Sequence, residues 1–206
     1  DGGSSTGLAG AAAGAVSITS AGDALNIEGA ITATGGSGTT AGADGRVTLQ
    51  ATAGDIVQAD GSNEISAGEL VIASTVGAVG LSDVTNDFGA VSATLTGASQ
   101  ALTIKNNTDI NVGVDETGAG LVGLTTNAGA INLNSASGNV SVNAAVQTSG
   151  GALTSTGTDF TNTAAITTSG GAVNLDGQTG DINIDANVVT YGGVFSQTRA
   201  PSFNSS

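Results

Sequence analysis

Three stretches of the chain superimpose without a gap: VSVNAAVQTSGG (Val140 to Gly151), FTNTAAITTSGG (Phe160 to Gly171) and INIDANVVTYGG (Ile182 to Gly193). Each follows a second short alternating run, AINLN, GALTS or GAVNL, and Ile131, Leu153, Val173 and Val194 mark a period of about twenty-one residues. The beat continues upstream in looser form through RVTLQ at Arg46, ELVIA at Glu69, AVSATL at Ala90 and INVGV at Ile110, with a first, freer copy around AVSITSAGDALNIEG. A wider spacing at ITATGGSGTTAGADG predicts a loop insertion near 33–45. About eight or nine such units fit the chain. A repeat this short cannot close a core by itself, so each copy must bury its apolar face against the next.

Within each copy, β-branched residues alternate with Asn, Asp, Ser and Thr, and Gly, Asn, Asp or Ser interrupts the run every four to six positions. Period-2 alternation of this kind argues for short half-buried strands separated by turns and comes close to excluding helix. Strands stacked from consecutive coils run parallel, so the expected fold is all-β: a parallel β-helix, or β-solenoid, of about 21 residues per coil. Two or three strands per coil form the faces, and the glycines turn the corners, where positive φ is open to a residue without Cβ. The inward positions are predicted as Ile131, Leu133, Val140, Val142, Ala144 and Val146 in one coil. Two coils later they are Val173, Leu175, Ile182, Ile184, Ala186 and Val188. Asn162 falls where this pattern asks for an apolar residue and is expected to be a buried, hydrogen-bonded Asn or a local bulge. The chain thus divides into a low-complexity Gly/Ala/Ser segment at 1–15, β-helix repeats at 16–198 and a tail at 199–206.

Composition agrees with a thin, repetitive core. The chain has no Trp, Met, Cys or His and only 2% aromatic residues, too little for a conventional globular interior. Three basic residues (Arg46, Lys105, Arg199) stand against 17 acids, a formal charge of −14. Such a surface repels phosphate backbones and anionic lipid, which argues against nucleic acid and membrane partners. No apolar run is long enough to span a bilayer. The opening at Asp1, with no signal peptide in view, predicts a processed product or a segment of something longer.

Segments such as RVTLQATAGDIVQADGSNEISAGELVIAS, TNDFGAVSATLTGASQALTIKNNTDINVG and GLVGLTTNAGAINLNSASGNVSVNAAVQTSGGALTSTG resemble the repeat regions of filamentous-haemagglutinin-type bacterial exoproteins. The resemblance extends in style over about nine tenths of the chain and is specific to a repeat class. It implies a right-handed parallel β-helix, export to the surface of a Gram-negative cell and roles in adhesion, aggregation or cell contact. It carries over no functional residue.

The residues themselves offer little chemistry. Without His or Cys, neither a zinc site nor a Ser-His-Asp or Cys-His arrangement can be built. A glycan-cleaving β-helix needs only carboxylates and sugar-gripping side chains, and Asp159, Asp176, Asp181 and Asp185 are the candidate set. Against it stand the absence of aromatic platforms, Tyr191 being the only Tyr, and of Arg or Lys expected near those acids. DINID sets Asp181, Asn183 and Asp185 on one strand face, but Ala186 follows where a calcium loop requires glycine, so a solvated acidic face is the expectation. Threonine pairs at Thr32 and Thr34 and at Thr154 and Thr156 suggest an ice-binding array, which INLN, VSVN and INID interrupt. No catalytic, cofactor-binding or metal residue is therefore assigned. The expectation is a non-enzymatic shaft of an extracellular adhesin or filament, with a glycan-binding or glycan-cleaving β-helix, or an ice-binding β-solenoid, as the alternative.

Partner expectations come from the ends. A β-helix presents unpaired backbone groups at its terminal rungs, and neither a capping helix nor a charged atypical coil is visible in the sequence. GLAGAAAGAV is small and apolar, with no charge between Asp1 and Asp23, and VFSQTRAPSF brings Phe195 and Phe203 beside the only proline. The chain is thus expected to stack end to end on itself or on adjoining repeats, with a cell-surface glycan as a further candidate partner.

Overall fold

The computed structural model describes residues 10–59, 61, 63–115 and 121–199. Among these residues the protein is all-β, with no helix and with parallel strands in stacked sheets. This arrangement is compatible with a β-solenoid. The chain visits three stacks in turn and returns to the first. The first stack contains Val16–Ser20, Arg46–Ala51, Leu124–Asn127, Val146–Gln147, Ile166–Thr167 and Val188–Val189. The second is an eight-stranded sheet running from Leu25–Ile27 through Ile56–Gln58, Val79–Leu81, Leu102–Asn106, Ile131–Ser135, Leu153–Gly157 and Val173–Gly177 to Phe195–Arg199. The third holds Ile31–Ala33, Ile110–Val112, Val140–Val142, Phe160–Asn162 and Ile182–Ile184. Two long strands, Ile65–Ser74 and Asp87–Ala98, pass through the third stack into the first without a corner and so join the two into one 13-stranded sheet.

The register explains why alternation was so strict. Ile131 faces Leu153, Leu153 faces Val173 and Val173 faces Phe195. Because the side-chain period is 2, one slipped residue would turn a whole strand inside out. The inward column is accordingly apolar: Leu102, Ile131, Leu153 and Val173 are fully buried, as are Ile110, Val140 and Val142 in the third stack. Phe88 and Phe160 are the largest buried side chains. Apart from the two long strands, no described strand buries more than three residues, so the core is a narrow column continuous along the stack.

Several expectations change here. The second-stack column ends on Phe195, not Val194, whose carbonyl accepts the Val173 N–H at a corner position while its side chain points outward. Ile184, expected inside, is 39% exposed, and Ile182, Ala186 and Val188 are only half-buried. These residues lie on the last described rung, which pairs with no further strand among the described residues. Asn162 is the buried Asn rather than a bulge, since it keeps register between Val142 and Ile184. Its Nδ2 donates to the carbonyls of Ala164 and Ala186, both at 3.1 Å. The step between partners also varies, Leu25 facing Ile56 and Leu102 facing Ile131. Residues 34–45 contain no strand, and over 10–14 the low-complexity segment engages this region of its own chain: Gly10 N–H donates to Thr40 O and Gly36 N–H to Ala11 O, both 2.8 Å.

The corner between the first and second stacks repeats with its own chemistry. A hydroxyl at the end of the first-stack strand donates to the carbonyl three residues on: Ser74 to Gly77 and Thr126 to Gly129 at 2.6 Å, with Thr148 to Gly151 and Thr168 to Gly171 in the same geometry. At the two later of these corners both middle residues take positive φ, as in Ser169 (52°) and Gly170 (111°), whereas at the Thr126 corner only Ala128 (62°) does. The second glycine of each pair does a different job. A Cβ on Gly171 would lie 2.0 Å from the Gly151 carbonyl oxygen of the rung below, and one on Gly193 at the same distance from that of Gly171. Glycine is required there by close approach of backbones, not by φ.

Two predictions follow from this geometry. Gly171→Ala is expected to cost about 2–3 kcal/mol through the backbone clash, whereas Gly29→Ala, whose Cβ would meet nothing within 4 Å, stays within about 0.5 kcal/mol in urea melts. Val142→Asp, a fully buried site with no cation beside it, should lose about 4 kcal/mol or more, and Ile184→Asp about 1 kcal/mol or less. Equal losses for this second pair would contradict the exposed position of Ile184.

Candidate functional site

The corner between the second and third stacks gathers most of the polar chemistry, and it does so in two forms. In the early coils it is a buried amide network. Asn86, fully buried, accepts the Ile65 N–H at 2.8 Å and the Gln58 Nε2–H at 2.7 Å through Oδ1, and its Nδ2 donates to Gln58 Oε1 at 2.9 Å and Lys105 O at 3.2 Å. One coil on, Asn106 accepts the Phe88 N–H and donates to the Phe88 carbonyl, both at 3.2 Å. A side-chain amide carries one acceptor and two donors, as a peptide unit carries one of each, so these residues stand in for strand partners where the third stack is irregular. Asp83 closes this network from the side. The Thr85 backbone N–H, 2.9 Å from Oδ1, holds its carboxyl below the ordinary carboxylate range against the opposing effect of burial. The Thr85 hydroxyl at 2.7 Å and the Asn63 N–H at 3.3 Å act in the same sense.

In the later coils the same corner becomes a ladder of Asx side chains. Asp109 Oδ1 accepts the N–H of Asn139 at 2.7 Å, Asn139 Oδ1 that of Asp159 at 3.1 Å, and Asp159 Oδ1 that of Asp181 at 2.7 Å. Each side chain satisfies a corner amide of the next coil, where the turn has removed the strand partner.

This geometry decides the fate of the four candidate carboxylates. Asp159 and Asp181 are brought together, but as successive ladder members, with Asp159 already bound to backbone. Asp181 pairs with Arg199 at 2.9 Å, which corrects the expectation that no basic residue lies near these acids. Arg199 reaches it because Gly177–Arg199 pairing carries the second-stack strand to that corner. Asp176 sits elsewhere, on the outer face of the second stack between Thr156 and Thr198. Asp185 lies beyond strand Ile182–Ile184, at a cleft of about 530 Å³ lined by Ile184, Asp185, Ala186, Asn187, Val188, Thr190 and Phe195. Among the described residues no three His, Cys, Asp or Glu side chains gather in a metal-binding group, and no helix is long and apolar enough to cross a membrane. The threonine pairs form no continuous array: Thr154 lies between Asn132 and Asn174, and Thr156 between Asn134 and Asp176. Phe203 lies outside the described residues.

The amide network was missed by sequence reasoning. Its available signal was a polar residue at the inward parity of a strand end, as in Asn106 of LTIKN and Gln58 of IVQ. Comparison with protein-family models, with curated proteins and with solved structures returns no match.

Asp83 gives a pH test. On acidification the unfolded chain takes up its proton first, near the ordinary value of about 3.9, so the contribution of this carboxylate is complete above that pH. It is lost as pH falls through the lower folded value. The stability difference between the parent chain and Asp83→Asn, measured by thermal melts, should be largest near neutrality and shrink below pH 4. A constant difference would show that the hydrogen bonds do not depend on the charge.

Proposed function

We propose that this protein is a non-enzymatic structural shaft, a segment of an extracellular bacterial adhesin or surface filament, built as a right-handed parallel β-helix with coils of about 21 residues. The observation that carries the reading is the use of the acids. The Asp109, Asn139 and Asp159 side chains are committed to backbone amides of the following coil, so one of the four candidate acids, Asp159, serves to hold rung to rung, and a second, Asp181, is paired with Arg199. The formal charge of −14 suits a solvated, non-sticking exterior, and the repetition supplies length without a dedicated site. Handedness, surface location in a Gram-negative cell and the adhesive role rest on the resemblance of the repeats to filamentous-haemagglutinin-type exoproteins.

The alternative, a glycan-cleaving β-helix, would use Asp185 at the terminal cleft and Asp181 at the corner before it. A panel of acidic and neutral polysaccharides with a reducing-end assay separates the two: the shaft reading expects no turnover. Turnover abolished by Asp181→Asn or Asp185→Asn would establish the alternative. Antibodies to the 16–198 region should label intact, unpermeabilised cells of the source bacterium, and labelling only after permeabilisation would remove the surface assignment.

A further inference from the structure

The Asx ladder holds one member whose chemistry the ladder does not use. Each position asks only for an oxygen that accepts an N–H of the following coil, and a carboxylate is the stronger acceptor. Asp109 and Asp159 supply one, at 2.7 Å each. Asn139 stands between them and meets the same need through Oδ1, which accepts the Asp159 N–H at 3.1 Å. Only an oxygen can accept that N–H, so the carboxamide is held with Nδ2 turned away from it. Among the described residues Nδ2 has no hydrogen-bond partner, and it is not buried. Asn139 is half-buried and lies immediately before strand Val140–Val142, at its outward parity. Ser141, two positions on, shares that face between Asn111 and Thr161. An asparagine amide with a hydroxyl two residues later, and no proline between, is the acceptor triplet for N-linked glycosylation.

We propose that the triplet Asn139-Val140-Ser141 is a glycosylation site, modified on Asn139 Nδ2 by a glycosyltransferase that draws on a nucleotide-activated sugar. In that transfer the bond between Nδ2 and the anomeric carbon forms and the bond from that carbon to the diphosphate oxygen breaks. The nucleoside diphosphate leaves with the electron pair, and the amide gives up one proton. Oδ1 remains a carbonyl oxygen, so the glycosylated side chain keeps its bond to the Asp159 N–H and the ladder is unbroken. The sequence carries two further triplets of this form. Asn204-Ser205-Ser206 lies outside the described residues. Asn106-Asn107-Thr108 is closed by the fold: Asn106 is fully buried, and its Nδ2 already donates to Phe88 O at 3.2 Å, Thr108 Oγ1 at 3.3 Å and Asp109 O at 2.8 Å. A sugar there would require the corner to open, so the folded chain offers Asn139 and refuses Asn106. The surface-shaft reading supplies the setting, since a sugar on a solvated corner suits an exposed shaft. A sugar-free Asn139 would leave the labelling of intact cells as it is, so the two readings fail separately.

The natural gene product, purified from the source bacterium, is digested with a protease of broad specificity and its peptides are read by electron-transfer tandem mass spectrometry. Peptides that contain Asn139 are expected to carry sugar mass on that residue, and peptides that contain Asn106 to carry none on Asn106. Two variants expressed in the same cells separate the amide from the fold. Asn139→Asp keeps the oxygen that the ladder needs and removes the nucleophile, and Ser141→Ala keeps the asparagine and removes the outward hydroxyl. Each should lose the sugar while the circular dichroism of the purified protein stays that of the parent. An unmodified Asn139 in the parent protein would overturn the proposal. So would sugar on Asn106 as well, or sugar retained in full on Asn139 in the Ser141→Ala variant.

Discussion

Everything in this molecule answers to one distance, the separation of about 4.8 Å between backbones in adjacent parallel strands. A rung that departs from it at any corner forces its neighbours apart in all three stacks, because the same chain closes every side of the coil. The Gly129, Gly151, Gly171 and Gly193 column shows how tightly this is enforced, since each would-be Cβ falls on the carbonyl oxygen of the rung before. The apolar interior is secondary in this sense. It supplies the driving force for stacking, but the residues that permit stacking are those at the corners.

Strands bond to strands, and corners cannot, so the polar residues are found where the ladder is interrupted. Three solutions occur. Hydroxyls at the first corner bond forward within the same turn, Asx side chains at the second bond to the next coil, and buried carboxamides of Gln58, Asn86 and Asn106 replace backbone outright. All three replace a missing N–H to C=O bond. The hydroxyls and the carboxamides do so where water is excluded, and an unmade bond there costs more than a made one gains, whereas most of the Asx ladder is solvent-exposed. Arg46 and Glu69, paired in register on the outside at 2.6 Å, are the only charged pair of this kind between stacked strands in the early coils among the described residues.

How much of this was legible in the sequence depended on how local each cause was. Alternation in INLNS and VSVNA, the three aligned TSGG and TYGG corners, and the inward places of Leu133, Val142 and Leu175 could be read because each follows from the two-residue period of the strand. Ile184 could not, since its exposure depends on what lies above it and not on its neighbours in the chain. Asn86 and Asp83 were opaque for a related reason. Their partners, Gln58, Ile65 and Lys105, lie a coil away in regions where the repeat is loose. The Asp181 to Arg199 pair likewise links residues whose proximity is set by register alone.

Between the third and first stacks, Val114–Asp115 and Leu121–Val122 pair antiparallel in a small sheet of their own, with Val114 still fully buried, in a molecule otherwise parallel throughout its described residues. The rungs on either side keep their register: Val112 still faces Val142, and Leu124 still faces Val146. Gly113, at φ 134°, and Gly123, whose Cβ would sit 1.9 Å from the Ala145 carbonyl oxygen, mark where the excursion departs and rejoins. A solenoid with such an exit holds position by its corners and is indifferent to how many residues travel between them. New surface can be added to the shaft at this port without renegotiating the interior, which makes the hairpin the natural place for a lineage, or an engineer, to mount a recognition loop.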